Sequence, residues 1–226
     1  MSDTVLIAGA TGGLGQHVVQ KLLRLNQSSV ALVRNISNAR TLLGPQVSLI
    51  VGDTREPGTL TAPMQGMRYV ICATGTKAPL GGNSPEHVDY EGVRNLVEAA
   101  RAARVERFVL VSSIAVTKPD HPLNAFGKVL TWKLKGEEAL RSSGLAYTIV
   151  RPGGLTDEPG GYHGLKIDQG DRMMGRISRA DVAEVCIQTL HQPAARNTTF
   201  EVIETDGTLP ADWASFFAAL KSDGTD

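Results

Sequence analysis

Cysteine is scarce in this sequence: of 226 residues only Cys72 and Cys186 carry thiols, each inside an apolar run and neither in a CxxC or metal-ligand spacing. That excludes a disulfide framework and a thiolate metal centre and leaves two reduced, packed thiols, as in a reducing compartment. Net charge is missing too, since 23 Lys and Arg against 23 Asp and Glu give a formal charge of +0. Without a basic surplus there is no broad electrostatic footprint for nucleic acid, although a local basic cluster can still bind one small anion. The expected partner is therefore a small molecule. No stretch reaches the roughly 18 apolar residues that a spanning helix needs, so no membrane span is expected. No basic and apolar leader stands before the first apolar run at Thr4. The expected compartment is the cytoplasm, or the plastid stroma where a transit peptide has been removed.

What the chain does have is rhythm. Short β-rich runs at Val5–Ala8, Val30–Val33, Val47–Val51, Tyr69–Ala73, Phe108–Ser112, Tyr147–Arg151 and Phe200–Ile203 alternate with helical patterns at Gly15–Leu25, Glu86–Arg104, Trp132–Ser142 and Ala180–Leu190. Shorter helices are expected near Ala39 and Leu60, and a last one at Ala211–Leu220. Such alternation predicts one α/β domain over residues 1–226: a Rossmann fold with a doubly wound, mainly parallel seven-stranded sheet and helices on both faces. Right-handed crossovers give the order 3-2-1-4-5-6-7, with the ligand crevice between the first and fourth strands. Gly153 to Gly175 is rich in Gly and polar residues and has no clear periodicity. It is expected to be a functional loop, mobile without ligand and ordered over the crevice on binding, with a short C-terminal extension beyond the last strand.

The first strand runs directly into Gly9-Ala10-Thr11-Gly12-Gly13-Leu14-Gly15, and His17, Val18, Val19, Leu22 and Leu23 follow at helical spacing. A pyrophosphate needs unpaired backbone N–H groups at a helix N-terminus, and glycine lets the main chain turn and approach it without a Cβ in the way. Gly9, Gly12 and Gly15 space this turn as GxxGxxG, which resembles the short-chain dehydrogenase/reductase superfamily. An NAD-binding fold carries an acidic residue about 20 positions on, at the end of the second strand, for the ribose hydroxyls. Here the strand ends in Arg34. A cation there favours a 2′-phosphate, so NADP(H) is the expected cofactor with NAD(H) the weaker option; the plainer alternative is a solvated strand-end charge. The resemblance further implies that Asp53 and Thr54, after the third strand, meet the adenine amino group, although Asp53 also suits a simple turn. Ala73, Thr74 and Gly75, ending the fourth strand, are small enough to let a cofactor cross the sheet.

Later segments narrow the resemblance. Val88-Asp89-Tyr90-Glu91-Gly92-Val93-Arg94-Asn95-Leu96, Val111-Ser112-Ser113, Trp132-Lys133-Leu134-Lys135-Gly136-Glu137, the run Ser143 to Gly154, and Ile177-Ser178-Arg179-Ala180-Asp181-Val182-Ala183 are similar to the atypical members of that superfamily. These are the NAD(P)H-binding group allied to NmrA-like and flavin-reductase-like proteins, in a plant and cyanobacterial branch. Some relatives there are tied to chloroplast redox sensing or photosystem assembly. The likeness implies that Ser113 orients a carbonyl, that Lys133 grips the nicotinamide ribose, and that Ser112, Pro152, Gly153 and Gly154 lie along the cofactor. Only one of the neighbouring Ser112 and Ser113 can face the cleft, because adjacent strand residues point to opposite sides. Four residues before Lys133, where the usual tyrosine of Tyr-x-x-x-Lys would stand, is Val129; a second register through Lys128 puts Asn124 there.

Without that phenol about 10²–10⁴-fold of general acid catalysis is lost unless another group supplies the proton. Tyr162, His163 and His121 are loop candidates. Ser178-Arg179-Ala180-Asp181 is a capping box that starts a helix, and His17 and His87 have no partner at metal spacing, so no metal is expected. Two functions are therefore expected. One is an NADPH-dependent oxidoreductase whose small hydride acceptor, such as a flavin or quinone, takes its proton from solvent. The other is a non-catalytic NADP(H)-binding protein that senses redox state or assists assembly of a protein partner. A nucleotide-sugar epimerase or dehydratase ranks third, because that chemistry uses the tyrosine.

Overall fold

The computed structural model describes residues 3–76 and 78–224. Its strands are β1 (Val5–Ala8), β2 (Ser29–Val33), β3 (Ser48–Val51), β4 (Tyr69–Cys72), β5 (Arg107–Val111), β6 (Tyr147–Pro152), β7 (Gly154–Thr156), β8 (Gly164–Asp168), β9 (Arg176–Ser178) and β10 (Thr198–Thr205). The helices are α1 (Gly13–Arg24), α2 (Ile36–Leu43), α3 (Thr61–Met64), α4 (Gly92–Ala102), α5 (Val129–Arg141), α6 (Arg179–Thr189) and α7 (Trp213–Phe217). The main sheet runs β3-β2-β1-β4-β5-β6-β10-β8, and β7 pairs with β9 in a separate ribbon. Its first seven strands follow the expected order. Because helices cover both faces, successive strand residues enter different cores: Val5 and Ile7 pack with α1 and α6, whereas Leu6 and Ala8 pack with α4. No described helix is long and apolar enough to cross a membrane.

Three expectations need correction. The sheet has eight strands rather than seven, because Gly164–Asp168 adds an antiparallel edge strand to β10, with Ile167 opposite Val202. Flanking glycines and polar residues hid this short strand inside the segment read as irregular. The helix expected over Glu86–Arg104 is divided: Glu86–Glu91 is a wider π-helical turn and only Gly92–Ala102 is α-helical. The fifth helix begins at Val129 rather than Trp132. The Asn124 side-chain oxygen accepts the Leu130 and Thr131 N–H groups at 3.0 and 3.3 Å, satisfying donors that a helix start leaves open.

The segment from Gly153 to Gly175 is tied down at several points. Gly154 N donates to Gly175 O at 2.9 Å, closing the β7–β9 ribbon. Asp171, buried and at φ 56°, accepts from Ala115 N, Thr117 N and Thr117 Oγ1 at 2.6, 2.9 and 2.7 Å. Burial alone would raise its pKa, but these bonds outweigh it and hold the carboxyl below its ordinary value. The second half of the loop is thereby fixed to the segment that follows β5.

Candidate functional site

A cleft of about 470 Å³ opens at the carboxyl ends of β1 to β4, the place where an open α/β sheet binds ligands. Its floor is the glycine turn. Gly9 sits at φ 80°, and a Cβ there would stand 2.5 Å from Ala73 O, so a side chain would drive the turn off β4. A Cβ on Gly15 would collide with Gly9 O in the same way. Gly12 N donates to Gly9 O at 3.0 Å, and Gly12 precedes α1 without any side-chain cap. The first N–H groups of the helix are thus left for an outside anion, and no acidic residue in the first turn competes for them. Thr11 lines this cleft, while Leu14 is buried beneath it. A dinucleotide pyrophosphate fits this cradle.

At the outer end two arginines meet. Arg34 is exposed and its Nη1 donates to Asn83 Oδ1 at 3.3 Å. Arg55 donates from Nη1 to the same oxygen and to Gly82 O, both at 2.9 Å, and its Nε reaches Asp53 at 3.0 and 3.2 Å. The hydrogen bond from Arg55 lowers the Asp53 pKa and holds the carboxylate ionised. Asp53 therefore braces a second cation beside Arg34. Arg55 was missed in the sequence, although its two-residue spacing from Asp53 signalled a local pair. Thr54 turns its carbonyl to Asn95 Nδ2 at 2.9 Å.

At the inner end the cleft adjoins a cavity of about 10 Å³ lined by Thr74, Asp89, Ser112 and Lys133 among others. Lys133 Nζ stands 2.8 Å from Asp89 Oδ1, and their side chains are 18% and 1% exposed. Neither Asp89 oxygen nor Ser112 Oγ has a hydrogen bond of good geometry to any described residue. A buried polar atom without a partner is costly, so Ser112 Oγ stands out here, whereas the charge of Asp89 is answered by Lys133. Of the two serines, Ser112 lines the cavity; Ser113 is half-buried and does not. Between the two lysine registers, Lys133 enters the site, while Lys128 is exposed at φ 58° just before α5. Asp89 went unread as a site residue because its partner lies on another helix.

Other expected residues lie apart. Tyr162 is 73% exposed, and His121 Nδ1 accepts the Leu123 N–H at 3.3 Å. Pro152 ends β6. The space beside Gly153 is taken by Gly175, whose carbonyl would lie 2.6 Å from a Cβ there, and Gly154 is exposed. Glu158, His163 and Glu204 bring ligand atoms within 4.8 Å of one another. Arg176 stands 3.8 Å from Glu158 and 4.0 Å from Glu204 and supplies positive charge there.

A family model described as NAD(P)H-binding matches residues 9–193. The chain is 34% identical over 245 residues to an uncharacterised chloroplastic protein of Arabidopsis thaliana, covering 96% of this chain and 75% of that one. It is 32% identical over 241 residues to sanguinarine reductase of Eschscholzia californica, covering 88% of each. Among solved structures, a Bacillus halodurans protein described as an NAD-dependent epimerase/dehydratase superposes with a TM-score of 0.81 at 27% identity, over 92% of this chain and 96% of that one.

Proposed function

This chain belongs to the NAD(P)H-binding family, and from that premise we propose that it is an NADPH-dependent oxidoreductase that passes hydride to a small acceptor such as a flavin or quinone. The observation that carries the cofactor choice is the pair Arg34 and Arg55 around Asn83 at the outer end of the cleft, where an NAD-binding fold would place an acid. A charge-assisted bond to a 2′-phosphate contributes about 1.5–3 kcal/mol. Arg34 is exposed, so solvent screening puts its share near the lower figure, roughly tenfold in affinity. The sanguinarine reductase relative supports hydride transfer as the reaction, and the chloroplastic relative supports the plastid stroma as the compartment.

The bound cofactor supplies hydride. The open N–H groups of Gly13 and Leu14 would hold its phosphates, and Arg34 with Arg55 would fix the adenosine end. Thr74, Ser112 and Lys133 border the other end, where Ser112 Oγ would be open to a hydroxyl and Asp89 stays paired with Lys133. Residue 129 is valine, so no phenol stands in α5 to give a proton. The acceptor draws its proton from solvent, and catalysis rests mainly on holding the two reactants together. That same valine favours a second reading: NADP(H) binding without turnover, with occupancy reported to a protein partner.

Titration with NADPH and NADH, followed by turnover assays with menadione and FMN as acceptors, tests the reading. Tighter NADPH binding that Arg34→Ala abolishes, with NADH affinity little changed, is the expected result. Equal affinities in the parent would remove the NADP assignment. Tight binding without turnover on any acceptor would leave the non-catalytic reading in its place.

A further inference from the structure

Arg179 opens α6, yet its side chain lies across the start of another helix. A Cβ on Gly13, the first residue of α1, would stand 3.1 Å from both Cδ and Nε of Arg179 and 3.9 Å from its Cζ. Only the absence of a side chain at Gly13 makes room for the guanidinium. A cation beside a helix N-terminus is repelled by the helix dipole, and Arg179 meets two such termini, its own and that of α1. The charge is answered for the moment by Asp157, whose Oδ1 accepts from Arg179 Nη1 at 2.7 Å. Asp157 is a weak holder: its side chain is 87% exposed against 25% for Arg179. A second tether runs nearby, since Asp181 Oδ1 accepts Gly161 N at 2.8 Å from the first turn of α6.

We propose that Arg179 is a cofactor-binding residue that exchanges Asp157 for the dinucleotide pyrophosphate, so that cofactor occupancy releases residues 157–160 of the loop after β6. The proposal rests on the reading of the glycine turn as the phosphate cradle. Magnitudes set the direction of exchange. An exposed ion pair is worth at most about fivefold in an equilibrium. A charge-assisted bond to a doubly charged pyrophosphate, aided by the open N–H groups of α1, is worth about tenfold or more. The pyrophosphate therefore takes the guanidinium, and Asp157 swings into solvent. Gly161 stays held by Asp181, so the loosening ends there. This is opposite in sign to a loop that closes on cofactor.

Calorimetric titration of the parent, Arg179→Gln, Arg179→Lys and Asp157→Asn with NADPH, NADH and adenosine 2′-monophosphate tests the exchange. Arg179→Gln should weaken both dinucleotides by about tenfold and to the same extent, because both carry the pyrophosphate. Arg179→Lys should recover part of that loss. Adenosine 2′-monophosphate, which has no 5′-phosphate, should be unaffected. Asp157→Asn should tighten both dinucleotides by up to about fivefold, because the competitor is gone. Hydrogen exchange should show amides 157–160 loosening on NADPH addition in the parent, with Gly161 unchanged and no further loosening in Asp157→Asn. Parent-like affinity in Arg179→Gln, or protection that rises across 157–160 on binding, overturns the proposal while the dinucleotide reading stands. A parent that binds neither dinucleotide overturns both. Matching circular dichroism melts show that the variants are folded.

Discussion

Lys133→Met should be among the most damaging single substitutions in this protein, more so than removal of its partner. Asp89 is 1% exposed and its contact with Lys133 at 2.8 Å is the ion pair that answers its charge. Taking away one member of a buried pair strands the other, which typically costs about 3–5 kcal/mol. Asp89→Asn should cost less. The Lys133 side chain is 18% exposed at the inner end of the cleft, so its ammonium can turn to water while the methylenes keep their packing. A partly exposed ion pair then sets the scale, about 1 kcal/mol or less. The double variant strands no charge and should be more stable than Lys133→Met alone, which gives the pair a measurable coupling in a double-mutant cycle. Urea unfolding of all four proteins supplies the free energies, with unchanged slopes as the check that the transition has the same character. A loss below about 1 kcal/mol for Lys133→Met, or a larger loss for Asp89→Asn, would show that the pair is not a buried one in solution and would refute the reasoning.

Three further outcomes are expected. Gly12→Val should abolish NADPH binding in a titration and leave the circular dichroism spectrum native, because its side chain fills phosphate space while the extended backbone there, at φ -75° and ψ 163°, accepts a β-branched residue; normal binding would mean that the turn does not hold the phosphates. Asp171→Ala should destabilise the fold at pH 7 by about 1–3 kcal/mol, since the Ala115 and Thr117 N–H groups lose their acceptor. The Asp171 pKa is depressed in the folded state, so its contribution is present above the ordinary value of 3.8 and is lost as pH falls through the folded value; parent and variant should converge in acid unfolding measurements. Burial raises the pKa of Cys72 and pushes Cys186 up to about 12, so neither thiol should react with a disulfide reagent at pH 8 until denaturant is added, and rapid native labelling would contradict their burial.

Local pattern carried the architecture and the phosphate end of the site. Each strand of the sheet's centre is buried on both faces, so its residues form a compact apolar run that stands out from the amphipathic helices between, and right-handed crossover then leaves little choice of order. The glycine turn was legible for the same reason: strand, turn and helix are contiguous. β8 was not, because an edge strand framed by glycines has one buried face and few residues with which to show its period. Asp89 with Lys133, Arg55 with Asn83, and Arg179 over Gly13 were illegible for a different reason. Each is a contact between elements far apart in sequence, where the charged residue looks like an ordinary surface charge until the fold brings the partners together. Val129 lies between these cases, since its identity was plain but the register that gave it meaning depended on Lys133, not Lys128, entering the site.

Those long-range contacts bear on the chemistry more than the motif does. A lysine that assists a phenol does so by presenting a positive charge that lowers the phenol's pKa. In this protein the charge of Lys133 is already met by Asp89, and no phenol stands one turn before it. On the proposed reading the site is therefore electrostatically closed at the point where the superfamily usually supplies a proton, and about 10²–10⁴-fold of acid catalysis is forgone. On that reading the cleft keeps the ability to hold a reduced nicotinamide against an acceptor, which in well-oriented cases contributes about 7–11 kcal/mol. Under the proposed reading that is enough for acceptors such as flavins and quinones, where the charge left by hydride is spread over a conjugated ring. It is not enough for an isolated ketone, whose alkoxide needs the missing proton at once. An acceptor series ordered by how well it disperses that charge should accordingly show rates that rise with charge dispersal and fall to background at simple ketones. Ready ketone reduction would mean that a proton donor other than the α5 position operates in the cleft.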